Sequence, residues 1–408
     1  MKIAAGLIAF SFVISAAAED WPTYGHDNRR SHVTSEVLTA PLVETWIYQS
    51  PQPPQPAWTA PAKWDAFAAN DGLQSMRNFD PAFFVTASGD KVYFGSSVDN
   101  AAHCLHADSG EEIWVAFADG PVRLPPTIQG DRAWFGSDDG FVYCVNSENG
   151  EEVWRQRCAP ESRLIPSNGK LISPWPVRTG VLVEGNAAYF ASSLFPWEKS
   201  YLVSVGAGTG SQRYTEELEN VTLQGALLAS SGRLYAPQGR SLPLVFAMET
   251  GSRAGDVPGT GGVWCILTER EELISGPQNQ KDKEPVVKLT NPASRESILS
   301  ISGATRMIAA GNRIYFHQRG QLKAVDRERP NENLWAQKAP APASLILAGE
   351  HLYLGGLDSV AMIDAESGNQ LWNAEIKGRA YGLAVANGRL FVSTDHGFIY
   401  AFEAAQID

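Results

Sequence analysis

Arg123, Arg163, Trp175 and Arg178, with Trp197 a little further along the chain, are the residues whose types and spacing best suit a binding chemistry. A guanidinium beside an indole can hold a planar or anionic ligand, through forked hydrogen bonds and stacking. The competing assignment gives Arg123 and Arg178 to carboxylates or backbone carbonyls, as ion-pair members that knit the structure together. Other motifs are weaker. His103-Cys104-Leu105-His106 looks like a metal cluster, but it precedes a turn and reads as a strand. Strand side chains alternate faces, so histidines an odd number apart cannot point at one ion. Asp138-Asp139-Gly140 lacks the spaced acidic ligands of a calcium loop and reads as a hairpin turn. Gly206-Ala207-Gly208-Thr209-Gly210 imitates a phosphate loop, but no helix follows it. No nucleophile elbow, P-loop or zinc-protease motif occurs, so the sequence offers no catalytic residue and no metal ligand.

What must position these residues is a repeat. Asp108-Ser109-Gly110-Glu111-Glu112-Ile113-Trp114 recurs as 148–154 and 366–372, and more weakly as 208–214 and 329–335. A half-copy is Glu249-Thr250-Gly251. The Gly, or Asn331 in the 329–335 copy, supplies a hairpin residue tolerant of positive φ, and the Trp starts an outer strand. A second landmark is a Gly or Asn turn followed by a short aromatic strand. It appears eight times, beginning at Gly89, Gly130, Gly185, Gly232, Gly262, Gly311, Gly349 and Asn387, with the Gly262 copy the most degraded. A period near 40 with strand signals means one four-stranded blade per repeat. The expected fold is all-β: an eight-bladed β-propeller, with 19–408 as one domain. Residues 42–49 carry Trp46 in the place of Trp114 but no complete repeat before it. They are expected to complete the last blade near Phe402 and close the ring, removing an open sheet edge.

The net charge is −12 and no cationic patch stands out, so nucleic acid is excluded as a partner class. Residues 1–18 have the pattern of a cleavable export signal, with Lys2, an apolar run and Ala16-Ala17-Ala18. No lipidation Cys follows, and no apolar run is long enough to span a bilayer. A periplasmic or secreted protein, a monomer, is expected. Cys104 and Cys144 occupy equivalent positions in neighbouring blades, too far apart for a disulfide. Cys158 and Cys265 have no readable partner. Irregular stretches at 50–77, 160–180 and 194–198 concentrate Trp, Pro and Arg, and loops on a rigid scaffold are where binding residues gather. They are expected to form one rim, with Arg123 and Arg178 pointing into the funnel. Trp175→Ala with Arg178→Ala should then abolish ligand or partner capture without destabilising the protein. A further polar stretch at 276–285 reads as a solvated tip.

The Gly-x-x-aliphatic-Trp endings, Tyr93-Phe94-Gly95-Ser96, Trp134-Phe135-Gly136-Ser137 and the opening Trp21-Pro22 with Gly25-His26-Asp27 and Arg30 resemble the PQQ-like, quinoprotein-type propeller repeats across nearly all of 20–408. One branch of that family is the quinone-dependent alcohol dehydrogenases. For this branch the resemblance implies pyrroloquinoline quinone beside a disulfide of adjacent cysteines, a calcium site and a catalytic aspartate. The chain has no adjacent cysteines. The other branch is non-catalytic and BamB-like, similar to the propeller lipoprotein of the outer-membrane barrel assembly machine, and the chain matches it better in size. The resemblance implies an exported non-catalytic binding or scaffold protein, taking a protein or polymer partner through loops on one face. Two alternatives stand beside it: a quinone-dependent redox enzyme, and a sugar- or polymer-binding propeller using Trp58, Trp64 and Trp197.

Overall fold

The computed structural model describes residues 18–58, 79–239, 241–259, 261, 264–278 and 284–405. The proposed export signal, Trp64 and most of the 50–77 loop lie outside them. Every regular element among the described residues is a strand. The strands form six four-stranded sheets, one eight-stranded sheet and a separate two-stranded hairpin. The eight-stranded sheet is two blades sharing the 17-residue strand Gln370–Ala386, which is the outer strand of blade seven and continues as the inner strand of blade eight. Eight blades result, as the repeat count predicts. Inner strands are buried on both faces and are largely apolar, as in Ala187–Ser192. Outer strands meet solvent and alternate, as in Glu152–Arg157.

Ring closure is as expected from the sequence. Leu42–Gln49 pairs antiparallel with Phe398–Ala404, from Leu42 opposite Ala404 to Gln49 opposite Phe398. The repeat Trp does more than start a strand. Four of the indoles lie on the hairpin Gly of the next blade and donate to a carbonyl near it, whereas Trp372 donates to Leu42 O at 2.9 Å, at the closing strand. Trp46 donates to Ala107 O at 2.7 Å, Trp114 to Ser147 O at 3.0 Å, Trp154 to Ala207 O at 2.9 Å and Trp335 to Ala365 O at 3.0 Å. Tyr214 does the same through its hydroxyl to Met248 O, 3.1 Å away. Trp46 thus fastens blade eight to blade one with the contact used elsewhere in the ring.

The Gly is therefore held by two constraints. At Gly150, φ is +73° and a Cβ would stand 2.8 Å from the Trp114 ring. At Gly130, φ is +59° but nothing lies within 4 Å. Gly130→Ala should cost about 1 kcal/mol from the left-handed conformation alone. Gly150→Ala should cost up to about 3 kcal/mol more, because the indole must shift in a packed interface. Urea-unfolding midpoints of the two variants check this, and equal losses would mean that the indole contact contributes nothing.

Blade five departs from the sequence reading. Trp264–Leu267 is its innermost strand rather than its second. The second strand, Leu273–Gln278, follows a turn in which Glu271 has positive φ. Its outer hairpin puts Arg295 at φ 62° where most blades have Gly, and Leu299 where most have Trp. Asn331 is likewise not a hairpin residue. It lies inside the strand Arg329–Lys338, where a register shift separates Asp326–Arg329 from Val325–Asn333 pairing.

The N-terminal segment closes one mouth of the ring. It runs across the C-terminal ends of the innermost strands and bonds to seven blades in turn. Trp21 exchanges backbone bonds with Ala87, and Pro22 O accepts from Ile128 N. Asn28 donates to Val183 O and accepts from Ala229 N, and Arg29 O accepts from Leu267 N. Val33–Thr34 then pairs parallel with Leu347 and Ala348, and Glu36 accepts from Asn387 N and Gly388 N. Buried Arg30 donates to Leu227 O, Thr23 Oγ1 and Tyr24 O, tying the segment to itself and to blade four.

Candidate functional site

The irregular loops gather at the opposite mouth, beside the N-terminal ends of the innermost strands. Arg123 and Arg178 enter it by matching steps. Each follows a Pro-Val pair whose Val makes an isolated β-bridge, Val122 to Ser137 and Val177 to Ser192. Both guanidiniums converge on Asp138, in the hairpin turn Asp138-Asp139-Gly140. Arg123 Nε donates to Asp138 Oδ2 at 2.7 Å, and Arg178 donates through Nε and Nη2 to the two oxygens, both at 2.8 Å. Arg123 Nη1 also donates to Asp80 Oδ2 at 2.6 Å and to Gln55 O at 2.9 Å. Burial by itself would raise the Asp138 pKa, but the two guanidiniums hold it at about 2. For Asp80, burial prevails over the pull of Arg123 and pushes its pKa up.

This knot corrects one expectation. Arg123 is 7% exposed and Arg178 only 1%, so neither points into an open funnel, and their charges are met by two buried aspartates. Trp175 is buried as well, its indole N–H donating to Lys199 O at 2.9 Å. The double substitution Trp175→Ala with Arg178→Ala is thus expected to destabilise the protein, contrary to the outcome drawn from sequence. Asp138, Asp80 and Gln224 were missed. The signal available for the arginine stations was the pair of Pro-Val-Arg triplets at 121–123 and 176–178.

The knot anchors the loop rim. Ala57 N donates to Asp80 Oδ2 at 2.9 Å, and Ala57 O accepts from Asn168 Nδ2 at 3.1 Å. Trp58 lies 5.8 Å from the Arg178 guanidinium and donates to Gln224 Oε1 at 2.7 Å. The 160–180 stretch contains a hairpin, Ile165–Ser167 with Lys170–Ile172, turned at Asn168-Gly169 with φ 48° and 77°. Asn-Gly is a strong two-residue hairpin signal, and sequence reading passed over it. Lys170 reaches across to blade one, donating to Ser97 O, Val98 O and Asn100 Oδ1 at 2.6–2.9 Å. The described part of 50–77 and the 160–180 stretch therefore share one mouth, as expected.

Arg163 and Trp197 are the outward members of the predicted set. Arg163 lies 5.0 Å over the buried Trp175 ring and pairs with Glu198 at 2.9 Å. Trp197 is 76% exposed and stacks on Phe195 at 4.8 Å. Leu164 and Leu171 are also exposed large apolar residues on the 160–180 stretch, and Phe117 ends the outer strand of blade one. The rim thus presents apolar side chains on a backbone fixed from beneath.

The other motifs fall away from this rim. His103 is buried, stacked on Phe94 at 4.7 Å and bonded to Asp99 and Glu112, whereas His106 is exposed. Burial opposes its charge, but the two carboxylates raise the His103 pKa.

The dehydrogenase branch implies a quinone and a calcium ion, and the residues present do not fit them. The four cysteines are free and buried at separate places in the ring. Asp80 and Asp138, at this mouth, are bound to arginines.

Among solved structures, the chain is similar to the quinohemoprotein alcohol dehydrogenase of Comamonas testosteroni, with TM-score 0.67 and 11% identity over 97% of this chain and 82% of that one. It is also similar to a europium-containing methanol dehydrogenase, with TM-score 0.61 and 9% identity over 94% of this chain and 98% of that one. A third likeness is the computationally designed Ika8 protein, with TM-score 0.59 and 12% identity over 80% of this chain and 96% of that one. At such identities these likenesses establish the propeller fold alone. No match is found among curated proteins. The sequence model described as "Outer membrane protein assembly factor BamB" matches residues 55–253, 138–329 and 356–406, and the chain belongs to that family of PQQ-like repeat propellers.

Proposed function

We propose that this propeller is an exported, non-catalytic binding or scaffold protein that takes a protein partner on the rim over blades one to three. The observation that carries this is the rim itself. Leu164 and Leu171 stand exposed on a stretch fastened by Lys170 and Asn168, and Trp197 on a tip held by the Arg163–Glu198 pair and by the Trp175 bond to Lys199 O. Exposed aromatic and aliphatic anchors on a preorganised backbone lose little entropy on binding. Export rests on the pattern of residues 1–18, and among the described residues no helix is long and apolar enough to cross a membrane.

Site-specific photocrosslinking in cells tests the reading. A photoreactive residue at 197 should give one discrete protein adduct, and the same residue at Lys338, exposed on blade six, should give none. Adding Leu171→Asp should abolish the adduct while moving the melting temperature by less than about 2 °C, as for an exposed substitution. No adduct at 197, or the same adduct from both positions, sinks the proposal. The redox alternative is checked with pyrroloquinoline quinone and calcium: tight binding with alcohol-dependent dye reduction would overturn the non-catalytic reading. The sugar-binding alternative keeps Trp197 but loses force at Trp58, whose half-buried indole already donates to Gln224.

A further inference from the structure

A cavity of about 110 Å³ lies on the ring axis, bounded by innermost strands of blades one, five, six, seven and eight and by the N-terminal segment. Arg306, Trp264, Trp21, Tyr24, Tyr381 and His32 are its polar-tipped aromatic and cationic members, and among the described residues no Asp or Glu lines it. In a chain with net charge −12, a cavity walled by donors and lacking any acid is unusual.

Arg306 is the centre of the argument. Its Nε and one N–H of Nη2 donate to Ala343 O, and one N–H of Nη1 donates to Thr305 O. A guanidinium has five N–H groups in a planar fork. One N–H therefore remains on each terminal nitrogen, the spacing that a carboxylate accepts bidentately. Unlike Arg123 and Arg178, Arg306 has no ion-pair partner among the described residues. Its guanidinium lies 5.8 Å over the Trp264 ring. The Trp264 indole Nε1 is itself buried without a hydrogen-bond partner among the described residues. A buried orphan donor beside a half-buried unpaired cation costs the fold free energy unless an acceptor arrives. Burial lowers the Arg306 pKa, and burial together with the neighbouring arginines holds His32 at about 4, so His32 adds no second charge near neutrality.

We propose that the axial cavity binds a small organic carboxylate, held by the free N–H pair of Arg306 and the indole N–H of Trp264, with the Tyr24 and Tyr381 hydroxyls alongside. The volume suits an acid of a few heavy atoms, since one water needs roughly 10–15 Å³ of such space. This site lies on the axis, apart from the rim proposed for a partner, and either can fail without the other.

The test is titration of the full-length exported protein with oxalate and with succinate, and in a separate arm with inorganic phosphate, at constant ionic strength. Saturable binding by calorimetry is expected for a carboxylate, with a shift of the Trp264 indole N–H resonance. Arg306→Gln, whose amide can still reach the Ala343 carbonyl, should weaken binding at least tenfold. Trp264→Phe keeps the ring and removes the donor, and should weaken it several-fold while the melting temperature holds. Binding of phosphate in preference to both acids would overturn the carboxylate assignment. No saturable binding of any probe, or equal binding by Arg306→Gln and the parent, would overturn the site.

Discussion

Asp138→Ala is expected to cost the fold about 3–5 kcal/mol, the range for removing one partner of a buried ion pair. The substitution leaves Arg123 and Arg178 facing each other with one aspartate, Asp80, between two positive charges. Asp138 is fully buried, so water cannot take its place without opening the mouth of the ring. Urea unfolding followed by tryptophan fluorescence measures the loss, and a change under about 1 kcal/mol would show that the knot is idle. Asp138→Asn should fall between, because its amide oxygen still accepts from one guanidinium. The parent protein should show a matching pH effect. The folded pKa of Asp138, about 2, lies below the unfolded value near 4. Its contribution is therefore fully present above about pH 4 and is lost as pH falls from there through about 2. The Asp138→Ala variant should lack this part of the acid transition. The same variant should also loosen the rim, since Gln55 and Ala57 are held through Arg123 and Asp80. Faster amide exchange in 50–58 than elsewhere would report that.

Deleting residues 19–50 is expected to abolish cooperative folding. It removes the whole of Leu42–Gln49 and leaves Phe398–Ala404 as an unpaired, largely buried strand edge open to other chains. It removes Trp46, whose indole joins blade eight to blade one. It also strips the segment that bonds to seven blades across the opposite mouth. Size-exclusion chromatography should show aggregate, and calorimetry should show no single sharp transition. A monomeric deletion product with a cooperative melt would mean that the other blades close without it. Trp46→Ala is the milder companion, expected to cost about 3–5 kcal/mol as a large-to-small change in a packed interface. It should remain monomeric, because the strand pairing itself survives.

The repeat and the ring were legible because they are local. Hairpin glycines, aromatic strands and their spacing depend on neighbours a few residues away, and a period near 40 leaves few architectures. Closure was legible too, since one lone outer strand at 42–49 and one blade lacking it had to meet. Blade five was misread for a tertiary reason. Its hairpin needs no Gly, because the preceding blade has Gly255 where others carry Trp. No indole covers Arg295, which instead reaches back to bond Asp256 through O and Oδ1 at 2.6 and 2.7 Å. The Gly and the Trp are one device split across two blades, and where one is absent the other is not required.

The site was legible only as residue types. The sequence by itself put Arg123, Arg163, Trp175, Arg178 and Trp197 beside loops, and left open whether the arginines bind ligand or hold the blades. Only the tertiary structure sorted them, burying Arg123 and Arg178 on Asp138 while leaving Arg163 and Trp197 outside. The same holds for Arg306, which looks like any strand arginine until five blades and the N-terminal segment enclose it without an acid. A guanidinium's role is set by which carboxylate stands opposite it. Here that carboxylate, or its absence, comes from chain segments 15 to 43 residues away in sequence for Arg123 and 40 for Arg178, a separation that no local pattern records.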